Sequence, residues 1–253
     1  MKQTRSKIEK ILQASIRFQK GNRRFIKTEI SRICRLFNIS RLPESLFTSD
    51  TCWLAGGSVL AWLSGGSIRG EADNHDRDFF FPTRQALLAT LVTMLKQKFQ
   101  IYRFHLRKRR FIKRTYIHAA DIGISTIIPK MIVENPKFIH VLSRPDLVVV
   151  QLQSSTGIVY QLVAAYTGRE PAGIIQQFDY SICQLAIDGK YLYAGPDTWH
   201  DIMHRKLRIT HLKTNIQTAA RCYKFMKMGY HPTGKTAAAV IKSILFLPVY
   251  ICR

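Results

Sequence analysis

The spacing of apolar residues predicts helices at the two ends of the chain. In the first 45 residues, two sets of apolar positions recur at intervals of three and four, which is the period of a helix with one buried face. They are Ile8, Ile11, Leu12 and Ile16, and then, after Gly21-Asn22 and a Thr28 cap, Ile30, Ile33, Cys34 and Phe37. From Asp197 onward strand patterns fade, and we predict two or three further helices.

Between these ends, short apolar runs bounded by glycine, proline or polar residues predict β-strands. The runs are 51–55, 78–81, 101–106, 115–124, 146–152, 157–164, 179–187 and 190–193. Helices are expected behind caps at Ser58 and Thr83 and at 170–176. The pattern therefore predicts an α/β (α+β) fold, a mixed sheet flanked by helices. We expect a basic helical N-terminal arm at 1–45, a head at 46–195 and a small helical C-terminal part at 196–253.

The composition is that of a globular protein with an unusual charge. Hydrophobic residues make up 46% of the 253 and charged residues 22%, which excludes a disordered or fibrous chain. The 39 lysines and arginines outnumber the 16 aspartates and glutamates, so the formal net charge is +23. We expect such a chain to bind a polyanion, either nucleic acid or an anionic membrane surface.

The cysteines and the lack of long apolar runs bear on the cellular compartment. The five cysteines are odd in number and form no CxxC pair, so neither a zinc site nor a disulfide framework is indicated. No secretory signal is visible, and no run reaches the ~18 apolar residues of a membrane span. These features favour a reducing intracellular location, the cytoplasm, and argue against a membrane partner.

The scarce carboxylates are concentrated in one segment. Four of the 16 lie between Glu71 and Asp78. Asp76 and Asp78 would project from the same side of a strand, where bound Mg²⁺ or Mn²⁺ would relieve their mutual repulsion. Two such ions about 3.5–4 Å apart can activate a hydroxyl and stabilise a leaving phosphate. The alternative is a solvated acidic turn.

A glycine pair precedes this acidic segment. Gly56-Gly57-Ser58 lies where the first strand of the head turns into a helix. Glycine lets a phosphate approach the backbone closely, and a helix N-terminus presents free N–H groups and the positive end of its dipole. A plain tight turn would explain the glycines alone. The order of glycine turn, helix and Asp-x-Asp strand predicts a phosphate cradle that faces a metal site.

A second concentration of charge lies between two predicted strands. Seven of the residues from 103 to 114 are basic, and aromatic residues are interleaved with them. The basic residues are Arg103, Arg107, Lys108, Arg109, Arg110, Lys113 and Arg114. On a β-hairpin they would form a cationic ridge with aromatic platforms, suited to a nucleic-acid strand. A solvated hairpin tip and a nuclear-localisation look-alike are the alternatives.

The segment from Gly229 to Thr236 matches the P-loop pattern letter for letter. A P-loop follows a buried strand, whereas the residues just before Gly229 have the spacing of a helix. We therefore expect a junction between two helices, with Pro232 in the turn.

The motifs of the head resemble those of a known superfamily. Residues 53–59, Trp-Leu-Ala-Gly-Gly-Ser-Val, followed by Asp76-Arg77-Asp78-Phe79, look like the head motif of the nucleotidyltransferase (DNA polymerase beta-like) superfamily. Three later segments resemble, in order, motifs of its bacterial-type poly(A) polymerase and CCA-adding branch. They are 179–186, Asp201-Ile202 with Leu207-Arg208, and 221–230.

This resemblance implies a nucleotidyltransferase-type mixed sheet and assigns roles to particular residues. Asp76 and Asp78 would be catalytic acids that hold two Mg²⁺ ions. Asp179 would be a third catalytic acid, on an adjacent strand, and Asp121 is a rival for that place. The family likewise puts cations of one helix near the triphosphate.

The same resemblance implies where the nucleotide binds. The cations of that helix are Arg221 and Lys224, which share one face because they are three residues apart. They would bind the nucleotide together with Gly56, Gly57 and Ser58. A solvated cationic face is the alternative for the two helical residues.

The sequence departs from the family pattern in four respects, one of which is a loop between Gly57 and Asp76 that is several residues longer. Leu60-Ala61 replace the Arg-Asp that follows the glycines, and Gln177-Phe178 replace the paired arginines before Asp179. The Glu-Asp-x-x-Arg triplet that reads the incoming base in CCA-adding enzymes has no obvious counterpart. The resemblance thus implies the fold and the metal chemistry but not the choice of base.

The implied activity is a metal-dependent transfer of a nucleoside monophosphate from a nucleoside triphosphate, ATP or CTP, to an acceptor. The basic surface exceeds what one triphosphate needs, so the favoured acceptor is an RNA 3′ end, of tRNA or another RNA. One alternative is a toxin-like transferase that modifies tRNA or a protein. Another is a non-catalytic RNA-binding module on a decayed transferase fold, which the missing arginines favour.

Overall fold

The computed structural model describes residues 2–20, 23–37, 52–64, 77–107, 114–118, 136–144, 147–155, 157–165, 170–210 and 216–245. The helices within them are α1 (Lys2–Gln13), α2 (Ile30–Phe37), α3 (Gly57–Leu63), α4 (Arg84–Lys96), α5 (Pro136–Ser143), α6 (Pro171–Ile175), α7 (Thr198–Met203), α8 (Ile216–Lys227) and α9 (Gly234–Leu245). None of these helices is long and apolar enough to cross a membrane.

The strands of the same stretches are short, and most follow the apolar runs of the sequence. They are β1 (Ile16–Lys20), β2 (Arg23–Glu29), β3 (Trp53–Ala55), β4 (Arg77–Phe80), β5 (Gln100–Arg107), β6 (Arg114–His118), β7 (Leu147–Gln153), β8 (Val159–Val163), β9 (Leu185–Ile187), β10 (Tyr191–Ala194), β11 (Lys206–Leu207) and β12 (His231–Pro232).

Ten of these strands form one mixed sheet, in the order β1-β2-β10-β9-β3-β4-β8-β7-β5-β6. Strands β4 and β8 run parallel, whereas the other neighbours in this sheet run antiparallel. The short strands β11 and β12 pair with each other. The predicted fold class, a mixed sheet flanked by helices, is therefore confirmed, and β4 lies near the middle of the sheet.

Alternation along the strands divides the core into two layers, one on each face of the sheet. Leu54 of β3 and Phe79 of β4 belong to the larger layer, which also contains side chains of α1 to α4. Trp53 and Phe80 belong to the smaller layer, where they pack with α6. Asp78 lies on the same face as Phe80, because the two residues are two positions apart in β4.

The helical spacing of the first 45 residues is confirmed by α1 and α2, but the structure adds a hairpin between them. Ile16 belongs to β1 and not to α1. Phe18 of β1 stacks on the buried Phe25 of β2, with 5.6 Å between ring centroids, and β2 pairs with β10. The hairpin thus extends the sheet of the head, a long-range pairing that local spacing does not reveal.

The strand predicted at 179–187 is wrong for residues 179–184. Strand β9 is only Leu185–Ile187, and Asp179 lies in a bend that precedes a 3₁₀ turn at Ser181–Cys183. The Ser181 hydroxyl donates to the buried carboxylate of Asp201 at 2.6 Å. The backbone is also engaged outside the sheet, because the Ser181 N–H donates to the Arg208 carbonyl and the Cys183 N–H donates to the Tyr180 carbonyl, each at 3.0 Å. Asp179 is therefore not on a strand next to β4.

The three predicted helix caps have different outcomes. Thr28 does not cap α2, because it lies within β2 and its hydroxyl is hydrogen-bonded to that of Ser15. The Thr83 side chain accepts a hydrogen bond from the Ala86 N–H at 3.1 Å, so the cap of α4 is confirmed. Ser58 does not cap α3, because the N-cap position is Gly56. The Gly56 carbonyl accepts hydrogen bonds from the N–H groups of Val59 and Leu60.

The segment that matches the P-loop pattern joins two helices. Helix α8 ends just before it, Gly229 turns the chain with φ of 83°, and α9 begins at Gly234. The Thr236 hydroxyl, which would contact a metal ion in a P-loop, accepts a hydrogen bond from the Ile209 N–H at 2.9 Å. The prediction of a helix junction is confirmed, but Pro232 lies in β12, paired with Leu207 of β11, and not in a turn.

Candidate functional site

The glycine turn and the Asp-x-Asp strand meet near the middle of the sheet. Strand β3 ends at Ala55, which lies directly opposite Asp78 of β4, and the turn at Gly56 follows at once. Directly opposed residues project their side chains from the same face, about 5 Å apart. The half-buried Asp78 carboxylate therefore lies beside the glycine turn.

Gly56 is required at this turn by its conformation and by its packing. Its φ of 86° and ψ of −144° belong to a region that side-chain-bearing residues rarely adopt. Its N–H donates to the Leu185 carbonyl at 2.9 Å. A Cβ on Gly56 would lie 3.1 Å from Cε1 of Phe178, which in turn meets Phe80 edge to face.

Helix α3 starts with the other two residues of the motif. Gly57 is half-buried, and the buried Ser58 hydroxyl donates to the Ala55 carbonyl at 3.4 Å. Leu60 and Ala61, at the positions of the family's Arg-Asp, are buried as well. The place of a charged pair is thus filled by apolar side chains. The binding of a nucleotide by Gly56, Gly57 and Ser58 stays a prediction.

Small apolar residues adjoin Asp78 on the β3 and β9 side of the sheet. Ala186 of β9, Ala55 of β3, Asp78 and Gln161 of β8 lie directly opposite one another across four strands. Ala55 and Ala186 are 0% exposed and belong to the smaller core layer, against which Phe178 packs, so the β9 side of Asp78 is covered by apolar side chains.

The structure describes only one of the two expected metal-binding carboxylates, Asp78. Asp76 lies outside the described residues, and so does the rival acid Asp121. Across the stretches that are described, no group of three or more His, Cys, Asp or Glu could hold a metal ion. Asp78 does offer hard carboxylate oxygens of the kind that Mg²⁺ prefers. Metal binding by Asp76 and Asp78 stays a prediction.

Asp179 is held by helix α8. Its Oδ2 accepts hydrogen bonds from Nη2 of Arg221 at 2.9 Å and from the Thr218 hydroxyl at 3.1 Å. The residue is only 8% exposed, and its buried Oδ1 has no hydrogen-bond partner among the residues that the structure describes. A buried carboxylate oxygen without a partner is unusual, and a bound cation or hydroxyl would satisfy it.

The two predicted nucleotide-binding cations are neighbours on α8. The Arg221 side chain remains 47% exposed despite its bond to Asp179. Lys224, almost one turn further along, is exposed. Phe178 precedes Asp179 in the chain and packs on Gly56, so this helix and the glycine turn flank one segment. The structure brings these residues together, and their catalytic and nucleotide-binding roles stay predictions.

Arg77 is a buried residue that the sequence analysis missed. It is 4% exposed, its Nη1 donates to the Tyr160 hydroxyl at 2.9 Å, and its guanidinium lies 5.3 Å from the centre of that ring. Because it alternates with Asp78, it projects from the opposite face of β4. It links β4 to β8, and a charged residue inside a strand pattern was its only signal in the sequence.

The basic segment forms a hairpin of β5 and β6, in which Arg107 and Arg114 are the last opposed pair. Four of the seven predicted nucleic-acid-binding residues lie outside the described residues. They are Lys108, Arg109, Arg110 and Lys113. The Nε of Arg103 donates to Oε1 of Gln151 in β7, and Nε2 of the buried His105 lies 3.2 Å from the same oxygen. Nucleic-acid binding by this segment stays a prediction.

A buried ion pair organises the start of the C-terminal part. The Asp201 carboxylate is fully buried and accepts hydrogen bonds from Nε and Nη2 of Arg208, at 2.9 and 3.1 Å, and from Ser181. Burial raises the pKa of Asp201, but the hydrogen bonds from Arg208 and Ser181 outweigh it, so the pKa is lowered overall. The segments Asp201-Ile202 and Leu207-Arg208, which together resemble one family motif, are thus joined by this ion pair.

Comparisons with solved structures identify the fold. A Thermotoga maritima CCA-adding enzyme complexed with tRNA is similar, with a TM-score of 0.51 and 12% identity over 87% of this chain and 46% of that chain. A complex of a CCA-adding enzyme with CTP gives the same four values. The chain thus spans just under half of the length of these structures. At this identity the likeness shows a nucleotidyltransferase-type fold and nothing finer.

Comparisons of the sequence itself lead to one family. None of the curated proteins compared with the chain matches it. A family model described as Gabija anti-defense 2 family protein matches residues 16–205, which is more than half of the chain. The match includes the β1–β2 hairpin, the glycine turn, β4 and the segment around Asp179. The chain belongs to the Gabija anti-defense 2 family.

Proposed function

We propose that the protein is a metal-dependent nucleotidyltransferase that transfers a nucleoside monophosphate from ATP or CTP to an RNA 3′ end. The observation that carries the proposal is the position of Asp78, half-buried and directly opposite Ala55 beside the Gly56 turn. The fold shared with CCA-adding enzymes supports the reaction type. The net charge of +23 supports a nucleic-acid acceptor.

Each residue of the candidate site has a proposed task. Asp76 and Asp78 would bind Mg²⁺ or Mn²⁺, and the cation would supply stabilisation of the negative charge on the transferring phosphoryl group. The glycine turn would let the phosphates approach the backbone closely. Arg221 and Lys224 would neutralise the triphosphate. Oδ1 of Asp179, which has no hydrogen-bond partner among the described residues, would accept a hydrogen bond from a substrate hydroxyl.

The family name suggests the setting of this reaction. Members are described as Gabija anti-defense proteins, so we infer that the transfer acts on a molecule that the Gabija defence needs. This setting also fits the alternative of a toxin-like transferase whose acceptor is a protein. A transfer assay with labelled nucleotide distinguishes the two acceptors, because the label is then found either on RNA or on protein.

The test is transfer of label from each of the four nucleoside triphosphates to total RNA or to protein, with Mg²⁺ or Mn²⁺. Asp78→Asn keeps the shape of the side chain and removes the charge, and we expect a rate lower by about 10²–10⁴-fold. The matched control is Glu9→Gln, which removes one carboxylate from an exposed pair with Arg5 on α1. Full activity of Asp78→Asn would refute the assignment of the metal ligand.

A non-catalytic RNA-binding module is the second candidate function. It is favoured by the apolar Leu60 and Ala61 at the positions of the family's charged pair, and by the bond of Asp179 to Arg221. EDTA separates the two candidates. Transfer stops without a divalent cation, whereas binding alone survives EDTA and weakens steeply with salt.

A further inference from the structure

A single row of residues crosses the face of the sheet on which Asp78 lies. Each member is directly opposite the next in the neighbouring strand, so all project from the same face. The row is Lys27, Tyr193, Ala186, Ala55, Asp78, Gln161, Gln151, Arg103 and His118. The members from Gln161 onward are all polar, and we call these four the polar half-row.

The polar half-row leads away from the side on which the nucleotide is proposed to bind. The Gly56 turn and Phe178 adjoin β3, on one side of Asp78, whereas the polar half-row lies on the β8 side. Neighbouring strands are about 4.8 Å apart, so Arg103, three strands from Asp78, lies about 14 Å from it. An acceptor that approaches Asp78 from this side would not compete with the nucleotide.

The far end of the polar half-row is built for a nucleic-acid strand. The Arg103 guanidinium is oriented by Gln151, which is 3% exposed, and it lies 5.1 Å from the centre of the Tyr102 ring. Tyr102 is 46% exposed, and the exposed His118 meets its ring edge to face at 5.9 Å. An oriented cation next to an exposed aromatic ring contacts a phosphate and stacks on a base at the same time.

A strand bulge explains why Tyr102 is available at this point. The pairing of β5 with β7 shifts register between Ile101 and Arg103, so Tyr102 is the extra residue of β5. Bulges re-aim a side chain away from the regular alternation of a strand. The bulge therefore places the Tyr102 ring next to Arg103 of the polar half-row.

We propose that the polar half-row is the acceptor subsite and holds a single-stranded polynucleotide, with a phosphate on Arg103 and a base stacked on Tyr102. The proposal deepens the proposed function, because it names the path by which an acceptor end reaches Asp78. Binding itself requires no catalysis. A single strand is favoured over a duplex, since stacking on Tyr102 needs an unpaired base.

The experiment measures binding of a fluorescent oligoribonucleotide of about 12 residues by anisotropy, in EDTA and over a range of salt concentrations. We expect Tyr102→Ala to weaken binding about 5- to 100-fold, the equivalent of one lost stacking contact. Arg103→Ala lowers the slope of log affinity against log salt by about 0.7, the value for one phosphate contact on a single strand. Arg103→Lys retains that slope because it retains the charge.

The matched control is Lys96→Ala, which removes one exposed cation at the end of α4, a helix that packs in the larger core layer on the other face. Unfolding midpoints of all variants establish that each is folded. If Arg103→Ala and Tyr102→Ala bind like Lys96→Ala, the subsite is refuted. Equal affinity for a duplex of the same sequence would refute stacking on Tyr102.

Transfer assays separate this proposal from the proposed function. If both are correct, Tyr102→Ala raises KM for the acceptor and leaves KM for the nucleotide unchanged. If binding depends on Tyr102 and Arg103 but no transfer is found with any acceptor, the subsite stands and the enzymatic function falls. If transfer occurs and depends on Asp78, while Tyr102→Ala and Arg103→Ala bind RNA as well as Lys96→Ala does, the enzymatic function is supported and the subsite is refuted. Label found only on protein would also overturn a polynucleotide subsite.

Discussion

Replacement of Gly56 by alanine tests whether the glycine turn positions the candidate site. A Cβ at this position meets two separate costs. Its φ of 86° and ψ of −144° are nearly exclusive to glycine, which costs about 1–3 kcal/mol for another residue. The Cβ also lies 3.1 Å from Cε1 and 3.3 Å from Cζ of Phe178, and overpacking of this kind typically costs about 1–3 kcal/mol.

We therefore expect Gly56→Ala to lower the free energy of unfolding by about 2–6 kcal/mol in urea titrations. The matched control is Gly229→Ala, because Gly229 has nearly the same φ, 83°, and nothing within 4 Å of its Cβ position. The control measures backbone strain alone, about 1–2 kcal/mol. Since Phe178 adjoins Asp179, Gly56→Ala should also impair transfer, whereas Gly229→Ala should not.

A double substitution isolates the contact with the ring. In a Phe178→Ala background the added Cβ has no ring to displace, so Gly56→Ala should then cost only its backbone strain, about 1–3 kcal/mol. The reasoning is refuted if Gly56→Ala in the natural background costs no more than Gly229→Ala, or if its cost is the same with and without the Phe178 ring.

Three further predictions concern buried polar groups. Asp201→Asn should cost about 3 kcal/mol in urea unfolding, because it breaks the buried pair with Arg208 from one side. The pKa of Asp201 is lowered in the fold, so its ion pair stabilises the protein fully above the ordinary carboxyl pKa near 4. This stabilisation is lost as the pH falls through the pKa of Asp201 in the folded protein. The cost of Asp201→Asn should therefore shrink in acid titrations. Tyr160→Phe leaves one donor of the buried Arg77 without its acceptor and should cost about 1–3 kcal/mol by the same titration. Burial, and then the charge of Asp188, raise the pKa of Cys52 to about 12, so mass spectrometry should find this thiol unmodified by iodoacetamide at pH 8 until the protein unfolds.

Much of the local structure follows from the sequence because its causes are local. Thr83 caps α4 since its side chain reaches the N–H group of a residue three positions later. Strands β5, β7 and β8 match apolar runs that alternate or cluster over a few residues. The chain from Gly229 to Thr236 could be recognised as a helix junction because the helix before it has its own periodicity.

The missed elements depend on partners far away in the chain. The β1–β2 hairpin is stable where it is because β2 pairs with β10, more than 160 residues later. The run at 179–187 is apolar enough for a strand, yet Ser181 is drawn into a hydrogen bond with Asp201. Arg77 could not be assigned from its own surroundings, since the hydroxyl that it contacts belongs to Tyr160.

By itself, the sequence determined the mixed α/β class, the net charge of +23 and the presence of residue types suited to metal and phosphate. Only the tertiary structure decided which of them meet: Asp78 with the glycine turn, Asp179 with Arg221, and Arg103 with the row that begins at Lys27. Charge and hydropathy are properties of the residues themselves, whereas strand order and register arise when distant segments bury their apolar faces together.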